Sequence, residues 1–526
     1  MTERMQAHGS WTEMNLKRKI MNSGREKCRM DARRGSGVIH FSGCGPAFIC
    51  MFFPQRGRVS PGGWTMNGIT DEAIRAQFAG AGDFNARRIR AGGQWLTVYA
   101  VDGLTSGGEI AHDVLRPLMA SEPQSMEALY DRALYSGVYS AVAAACTDAA
   151  DCADRLVNGF CVVLFPGVGA VAFEVKTSEK RTPAPPEVEN TVKGPKDAFT
   201  ETLRTNTGLL RRHLRTSDLR LRESTVGSRS GTRVAVASLR GVTDPALVER
   251  VCARLDSINA DGLLSPAGVE EYLTGSRPTA FPLAQYTERA DKLAQGLLEG
   301  RVGVLVDGLP LGYLLPVCVA DFMQTPEDRS TDYLSASFLR LMRYAALLVS
   351  LFLPALFIAM TGFDPEMIPL PLLEAIIESK QSVPFPTVFE VLGLLLAFEV
   401  LQEAGLSMPR SIGQTLSIIG GLVVGTAAVE ARLISPSALI VVAAAGVCGY
   451  TLPGREFSDA LRLWRLILAV SASLSGLFGL SAAFLLLLIR LAGLESFGRS
   501  YLAPFAYVRG ADKLVRPRLK HLQEER

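Results

Sequence analysis

Histidine is scarce in this sequence: five occur in 526 residues, and none falls between residues 336 and 508. A histidine proton relay or a zinc site in that stretch is thereby excluded. The nine cysteines form no CxxC pair and no Cys/His cluster at ligand spacing. They read as scattered reduced thiols, and neither a metal nor another cofactor is expected. A charge imbalance is missing too. The 55 basic and 52 acidic residues leave a net +3, too little to argue for a nucleic-acid surface. GxSxG, HExxH, a dinucleotide fingerprint and a spaced carboxylate pair are all absent, so an enzyme is not expected.

What is present is unevenly distributed. A chain of 526 residues exceeds one ordinary domain. Residues 66–335 carry charge throughout, whereas 344–490 hold long runs with almost none. The first 65 residues are rich in base (Lys17, Arg18, Lys19, Arg33, Arg34) and lack sustained periodicity. Their apolar stretch, Val38 to Pro54, is broken by Ser42, Gly43, Gly45 and Pro46. It is short for a span of about 20 residues and sits late for a signal peptide. Met66 opens a sequence of normal domain character, so residues 1–65 are read as disordered or as an over-extended gene start.

The charged half contains a repeat. Val98-Tyr99-Ala100-Val101-Asp102-Gly103-Leu104-Thr105 lines up with Val236-Ala237-Ser238-Leu239-Arg240-Gly241-Val242-Thr243. Each is a predicted strand ending in Gly and Thr, followed by an amphipathic helix, near Gly108–Met119 and Pro245–Leu255. Further on, residues 156–167 match 297–308 as helix end, Gly cap, strand and turn Gly. Two α/β lobes are expected, 66–190 and 191–335, joined near Pro183-Ala184-Pro185-Pro186. Their cleft could hold a small ligand, or the lobes could serve only subunit contacts. The segment from Val192-Lys193-Gly194-Pro195 through Asn206 to Arg211 and Arg212 reads as a helix docking one lobe on the other. An anion at its N-terminus is the weaker reading, since no phosphate loop is present.

The expected fold is thus a soluble two-lobed α/β domain followed by an α-helical integral membrane bundle of about five spans, over 336–508, and a basic tail, 509–526. The spans are placed at Tyr344–Gly362, Phe385–Leu401, Ile412–Ala431, Ser435–Leu452 and Trp464–Ile489. The proline-rich stretch from Asp364 to Ser379 reads as an interfacial or re-entrant helix. Arg340 and Arg343 before the first span put the soluble half on the cytoplasmic side. The basic tail argues for the same side, which five spans do not allow, so count and bias conflict.

Polar groups at membrane depth point to function by default. Glu390 and Glu399 lie on opposite faces of the second span. In the third, Gln414, Ser417, Gly421 and Gly425 share a stripe, with Glu430 at its far end. Gly421 and Gly425 form a GxxxG pattern, which favours close helix packing over pore lining. Ser471, Ser475 and Gly479 make a small-residue stripe in the last span. Such faces suit a cation path or an oligomer interface. The broken helices of a secondary transporter are not visible in the pattern.

These segments resemble the A subunit of spore germinant receptors of endospore-forming bacteria, the GerA-type spore germination protein family. The resemblance runs from about Asp83 to Phe505. It is carried by Gly300-Arg301-Val302 through Asp307-Gly308-Leu309-Pro310, by Ser337-Phe338-Leu339-Arg340-Leu341-Met342-Arg343-Tyr344 and by Val383-Pro384-Phe385-Pro386. Ile412-Gly413-Gln414-Thr415-Leu416-Ser417, Ala427-Ala428-Val429-Glu430 and Ser496-Phe497-Gly498 with Tyr501-Leu502-Ala503-Pro504-Phe505 also fit. So do Lys193-Gly194-Pro195, Asn206, Phe281-Pro282 and Thr287-Glu288-Arg289, although Ala290 stands where a proline commonly follows.

The resemblance implies a multi-pass protein of the spore inner membrane, in contact with membrane lipid. It implies partnership with a transporter-like B subunit and a lipoprotein C subunit, and homo-oligomerisation into a nutrient-gated cation channel. Alternatives are a related channel subunit encoded with dipicolinic-acid release proteins, or a non-conducting scaffold for receptor assembly. Asp102-Gly103-Leu104 and Leu115-Arg116-Pro117-Leu118-Met119 are more similar to the receptor A subunit.

Overall fold

A computed structural model describes residues 69–122, 125–176, 185–275, 279–407, 423–503 and 505. The N-terminal 65 residues and the basic tail lie outside them. The described residues belong to one compact unit.

Two five-stranded sheets organise the soluble half. The first contains β1 (Phe84–Ala91), β2 (Gln94–Val101), β3 (Ala143–Ala145), β4 (Phe160–Phe165) and β5 (Gly169–Glu174), in the order β1-β2-β4-β5-β3. The second contains β6 (Leu219–Val226), β7 (Thr232–Leu239), β8 (Gln285–Thr287), β9 (Val302–Val306) and β10 (Gly312–Leu315), in the order β6-β7-β9-β10-β8. Every pairing is antiparallel, and the two orders coincide strand for strand. The central strands are near-continuous apolar runs because both faces are covered.

On the first sheet, α1 (Asp71–Gln77) and α4 (Ala149–Val157) cover one face. The other is covered by a helical stretch α2 (107–119) and by α3 (Met126–Tyr135). On the second, α5 (Leu203–His213) and α8 (Ala290–Leu298) oppose α6 (Pro245–Asp256) and α7 (Pro266–Thr274). Local chemistry starts these helices where the chain dictates. Asp148, Asp244 and Ser265 each accept from a backbone N–H in the first turn, and proline follows directly in the last two. Gly159 and Gly300, with φ of 85° and 84°, turn the chain from helix into strand at equivalent places.

Lobe 1 docks on α5, as the polar spacing of that segment predicts. Arg211 of α5 is fully buried and pairs with the equally buried Asp83, one of the two bonds being 2.7 Å long. Gly103 and Gly208 pass so closely that a Cβ on Gly208 would lie 2.6 Å from the Gly103 carbonyl oxygen. At the α5 N-terminus, Leu203 N–H donates to the Asp307 carboxylate at 2.9 Å.

The remaining helices are α9 (Tyr333–Gly362), α10 (Leu370–Lys380), α11 (Thr387–Ser407), α12 (Pro436–Tyr450) and α13 (Arg455–Ala492). Among the described residues two, α9 and α13, are long and apolar enough to cross a membrane. They contain the first and last expected spans. The second expected span falls in α11, interrupted by Glu390, Glu399 and Glu403. The fourth falls in α12, only 15 residues long. Of the third, only 423–431 are described. A five-span bundle is therefore not what the described helices establish. The proline-rich connection does form a short helix, α10, with no buried residue.

The last expected span, Trp464–Ile489, is read from hydrophobic length, and within it Ser475 and Gly476 leave helical geometry (Gly476 φ 58°, ψ −138°). Only glycine adopts that conformation without strain, and its missing Cβ admits the Phe363 ring. The break was hidden because both halves are equally apolar.

Candidate functional site

The acidic groups singled out from sequence do not converge. Glu390 is 3% exposed and lies at the start of α12, where its Oε2 accepts from Ser435 N–H at 2.8 Å. A carboxylate at a helix N-terminus meets unpaired N–H groups and the positive end of the dipole. Its other oxygen has no protein partner. Glu399 instead faces α13, accepting from Arg462 at 3.0 Å and Arg465 at 2.6 Å. Gln402 shares Arg462 at 2.6 Å.

Arg462 and Arg465 have no place in the expectations from sequence, although two arginines three apart in an apolar helix are a legible signal for a counter-charge. Gly425 is half-buried and Glu430 exposed. Gln414, Ser417 and Gly421 lie outside the described residues.

The soluble and helical halves meet in a continuous core. Phe281, Leu283, Val317, Val319, Phe322 and Met323 of lobe 2 belong to one buried cluster with Leu351 and Ile358 of α9 and Phe457 and Leu468 of α13. The chain after α13 returns to this layer as a hairpin, β11 (Glu495–Ser496) and β12 (Arg499–Ser500). There Ser496 Oγ donates to the Leu283 carbonyl at 2.8 Å and accepts from Val317 N–H at 3.2 Å. Val319 N–H donates to the Tyr501 carbonyl at 2.9 Å. Rings of Phe281, Phe322, Phe457 and Tyr501 pack together around the joint.

Charge reinforces the same joint. Asp328, 1% exposed, pairs with Arg343 at 2.8 Å and Arg340 at 3.1 Å. Burial works to raise the Asp328 carboxyl, but the hydrogen bonds and charge of Arg343, with Thr325, hold it below the usual range. The two arginines that argue for topology share one carboxylate, which offsets one of their two charges.

Beside this layer, Glu270 of α7 and Glu456 at the foot of α13 line one surface pocket. Burial pushes the Glu270 carboxyl up to about 7. The phenol of Tyr313, on β10, is pushed well up, first by burial and then by the negative charges of Glu270 and Glu456. A cavity of about 220 Å³ opens alongside, lined among others by Glu189, Lys292, Tyr286, Phe322, Arg455 and Glu456. Lys292 and Glu189 pair across it at 2.5 Å. No sequence pattern marks this site, because its carboxylates are 186 positions apart (456 minus 270).

The fold defines a two-lobed α/β protein fused through one core to two helices long and apolar enough to cross a membrane. The family described as Bacillus/Clostridium GerA spore germination protein matches residues 72–526, and the chain belongs to that family. It is 34% identical over 418 residues to spore germination protein B1 of Bacillus subtilis (strain 168), covering 78% of this chain and 85% of that protein. It is 33% identical over 377 residues to spore germination protein A1 of the same organism, covering 71% and 78%. The N-terminal domain of the A subunit of the Bacillus megaterium spore germinant receptor GerK3 aligns at 22% identity and a TM-score of 0.38, covering 48% of this chain and 96% of that one.

Proposed function

We propose that this chain is the A subunit of a nutrient-sensing germinant receptor. In this reading it is a non-catalytic, multi-pass protein of the spore inner membrane that homo-oligomerises and releases cations when a germinant is bound. A transporter-like B subunit and a lipoprotein C subunit are its expected partners, and the soluble lobes face the spore core. The observation that carries the reading is the core shared by lobe 2, α9 and α13. Displacing lobe 2 while its aromatic side chains stay packed must displace the feet of both helices, since packed interiors shift as units.

In this reading Gln414 and Ser417 of the third expected span serve the ion path, Gly421 and Gly425 serve helix packing, and Glu399 serves neither, because Arg462 and Arg465 pair with its charge. Spores carrying Gln414→Leu at normal receptor level should lose germinant-triggered cation release. Normal release would overturn the pore assignment. Conductance measured with the purified chain in liposomes separates a channel from a scaffold, because a scaffold alone gives none.

A further inference from the structure

The two ends of α13 meet at one place. A straight helix of its 38 residues is about 57 Å long. Yet Phe457, in its first turn, packs on Phe281 and Phe322 with ring centres 5.9 and 5.6 Å apart. The same two rings take Tyr501, beyond its last turn, at 6.2 and 6.3 Å. Tyr501 N–H in turn donates to the carbonyl of Leu494, just past the end of α13, at 3.0 Å. The chain therefore reverses within the element, at Ser475 and Gly476, the two residues that leave helical geometry. Gly479 lies directly against the Ser471 carbonyl oxygen. In an unbroken helix those two residues stand about 12 Å apart. α13 is thus a helical hairpin, with arms 455–474 and 477–492 of about 30 Å and about 24 Å.

The depth of the tip is set by α9. Residues 344–363 carry no charge over a length of about 28 Å, close to the roughly 30 Å of bilayer hydrocarbon. Phe363, at the far end of that run, packs against Gly476 at the tip. Phe352, nearer the middle, meets Phe484 of the second arm with ring centres 4.8 Å apart. At the near end Tyr344 meets Phe505, 6.0 Å between ring centres, so the chain leaves the bundle on the side of the lobes. Residues 466–489 hold no charged side chain, and Arg462 and Arg465 before them pair with Glu399. An exposed apolar stripe at helical spacing runs along each arm: Ile467, Val470 and Leu474 on the first, Phe478, Leu485 and Ile489 on the second.

We propose that both arms of α13 cross the bilayer, with these stripes against lipid hydrocarbon and the Ser475–Gly476 tip at the surface opposite the lobes. Helix–helix contacts in membranes favour small residues. In α13 the small residues Ala469, Ala472, Gly476 and Ala483 are the buried ones, which leaves the large apolar side chains to the lipid. This double crossing rests on the reading of the chain as a multi-pass membrane protein, and it fixes the parity of the passes. Counted twice, the last expected span turns an odd number of crossings into an even one. The basic residues before the first span and those after the last then fall on one side, as the positive-inside bias of both requires. Phe457 and Leu494 share the core with lobe 2, so a displacement of lobe 2 carries the hairpin as one piece.

The test is the face from which single cysteines react with a membrane-impermeant maleimide, in the full chain held in sealed vesicles of each orientation and read over the unsubstituted chain. Glu127→Cys marks lobe 1, Glu495→Cys marks β11 and Ser475→Cys the tip, and all three positions are exposed. Glu127→Cys and Glu495→Cys should react from the same face, and Ser475→Cys from the opposite face alone. Reaction of Glu495→Cys from the face opposite Glu127→Cys overturns the even number of crossings. Reaction of Ser475→Cys from the lobe face, or only after detergent is added, overturns the full crossing of the arms. Alkaline carbonate extraction separates this from the wider reading. A chain released from the vesicles is not integral, and the membrane reading fails with the hairpin; a chain retained with the wrong labelling loses the hairpin topology alone.

Discussion

Asp328 shows how one side chain can decide a joint. Its carboxylate is the shared partner of Arg340 and Arg343, all three nearly removed from water. Asp328→Asn leaves two buried guanidinium groups without a counter-charge, at a cost of about 3–5 kcal/mol. Thermal unfolding of the full chain in detergent should show that loss, whereas Arg329→Lys, at a 35%-exposed position, should change little. His213 provides a pH-dependent contact. Its hydrogen bond to Asp197, 2.7 Å long, raises the imidazole above its ordinary value against the opposing effect of burial. A raised folded-state value gives stability that is full below about pH 6.5 and is lost as pH rises through the raised value. Melting temperature should therefore fall between about pH 6 and about pH 8, and His213→Gln should flatten that slope. Neither contact was legible in the sequence. Asp328 is 12 and 15 positions from its arginines, and nothing in the local pattern says that the chain folds back there.

At the scale of elements, the chain announced most of its soluble helices and strands. The paired glycines at 159 and 300, the matched Gly and Thr at the strand ends and the helix start near Pro245 fixed their type and spacing. The matching strand orders follow from matching sequence blocks. The helical half was legible only as hydrophobic length, which cannot reveal a break. Gly476 makes that break, and its φ/ψ is closed to other residues. Gly476→Ala should destabilise α13 by about 1–3 kcal/mol through backbone strain, before counting the Phe363 side chain, whose Cβ lies only 2.8 Å from the new Cβ. Lower melting temperature and reduced accumulation of the full chain are the measurements. Gly493→Ala, with no neighbouring atom closer than 3.5 Å outside its own turn, is the control.

Across the whole molecule, the decisive feature is that lobe 2 and the long helices bury one core. Phe457 sits in it, stacked on Phe322 with ring centres 5.6 Å apart and touching Phe281. Phe457→Ala should cost about 3–5 kcal/mol by opening a cavity at the joint. Loss should appear as earlier proteolytic separation of the soluble region from the helices, with lobe 1, which contributes nothing to this cluster, remaining folded. Retention of the joint's protease resistance would show that the hydrogen bonds of Ser496 and Tyr501 suffice to hold it.

By itself the sequence determined the division into a charged and an apolar half, the repeat, the helix starts and the family, because all of these are written in periodicity, local caps and short conserved-order motifs. Tertiary structure alone decided which charges are compensated. Glu399 found arginines 63 and 66 positions away, Glu390 found a helix N-terminus, and Glu270 came to share a pocket with Glu456. The physical reason is that a charged group's role depends on what surrounds it in space, and a linear spacing carries no record of that.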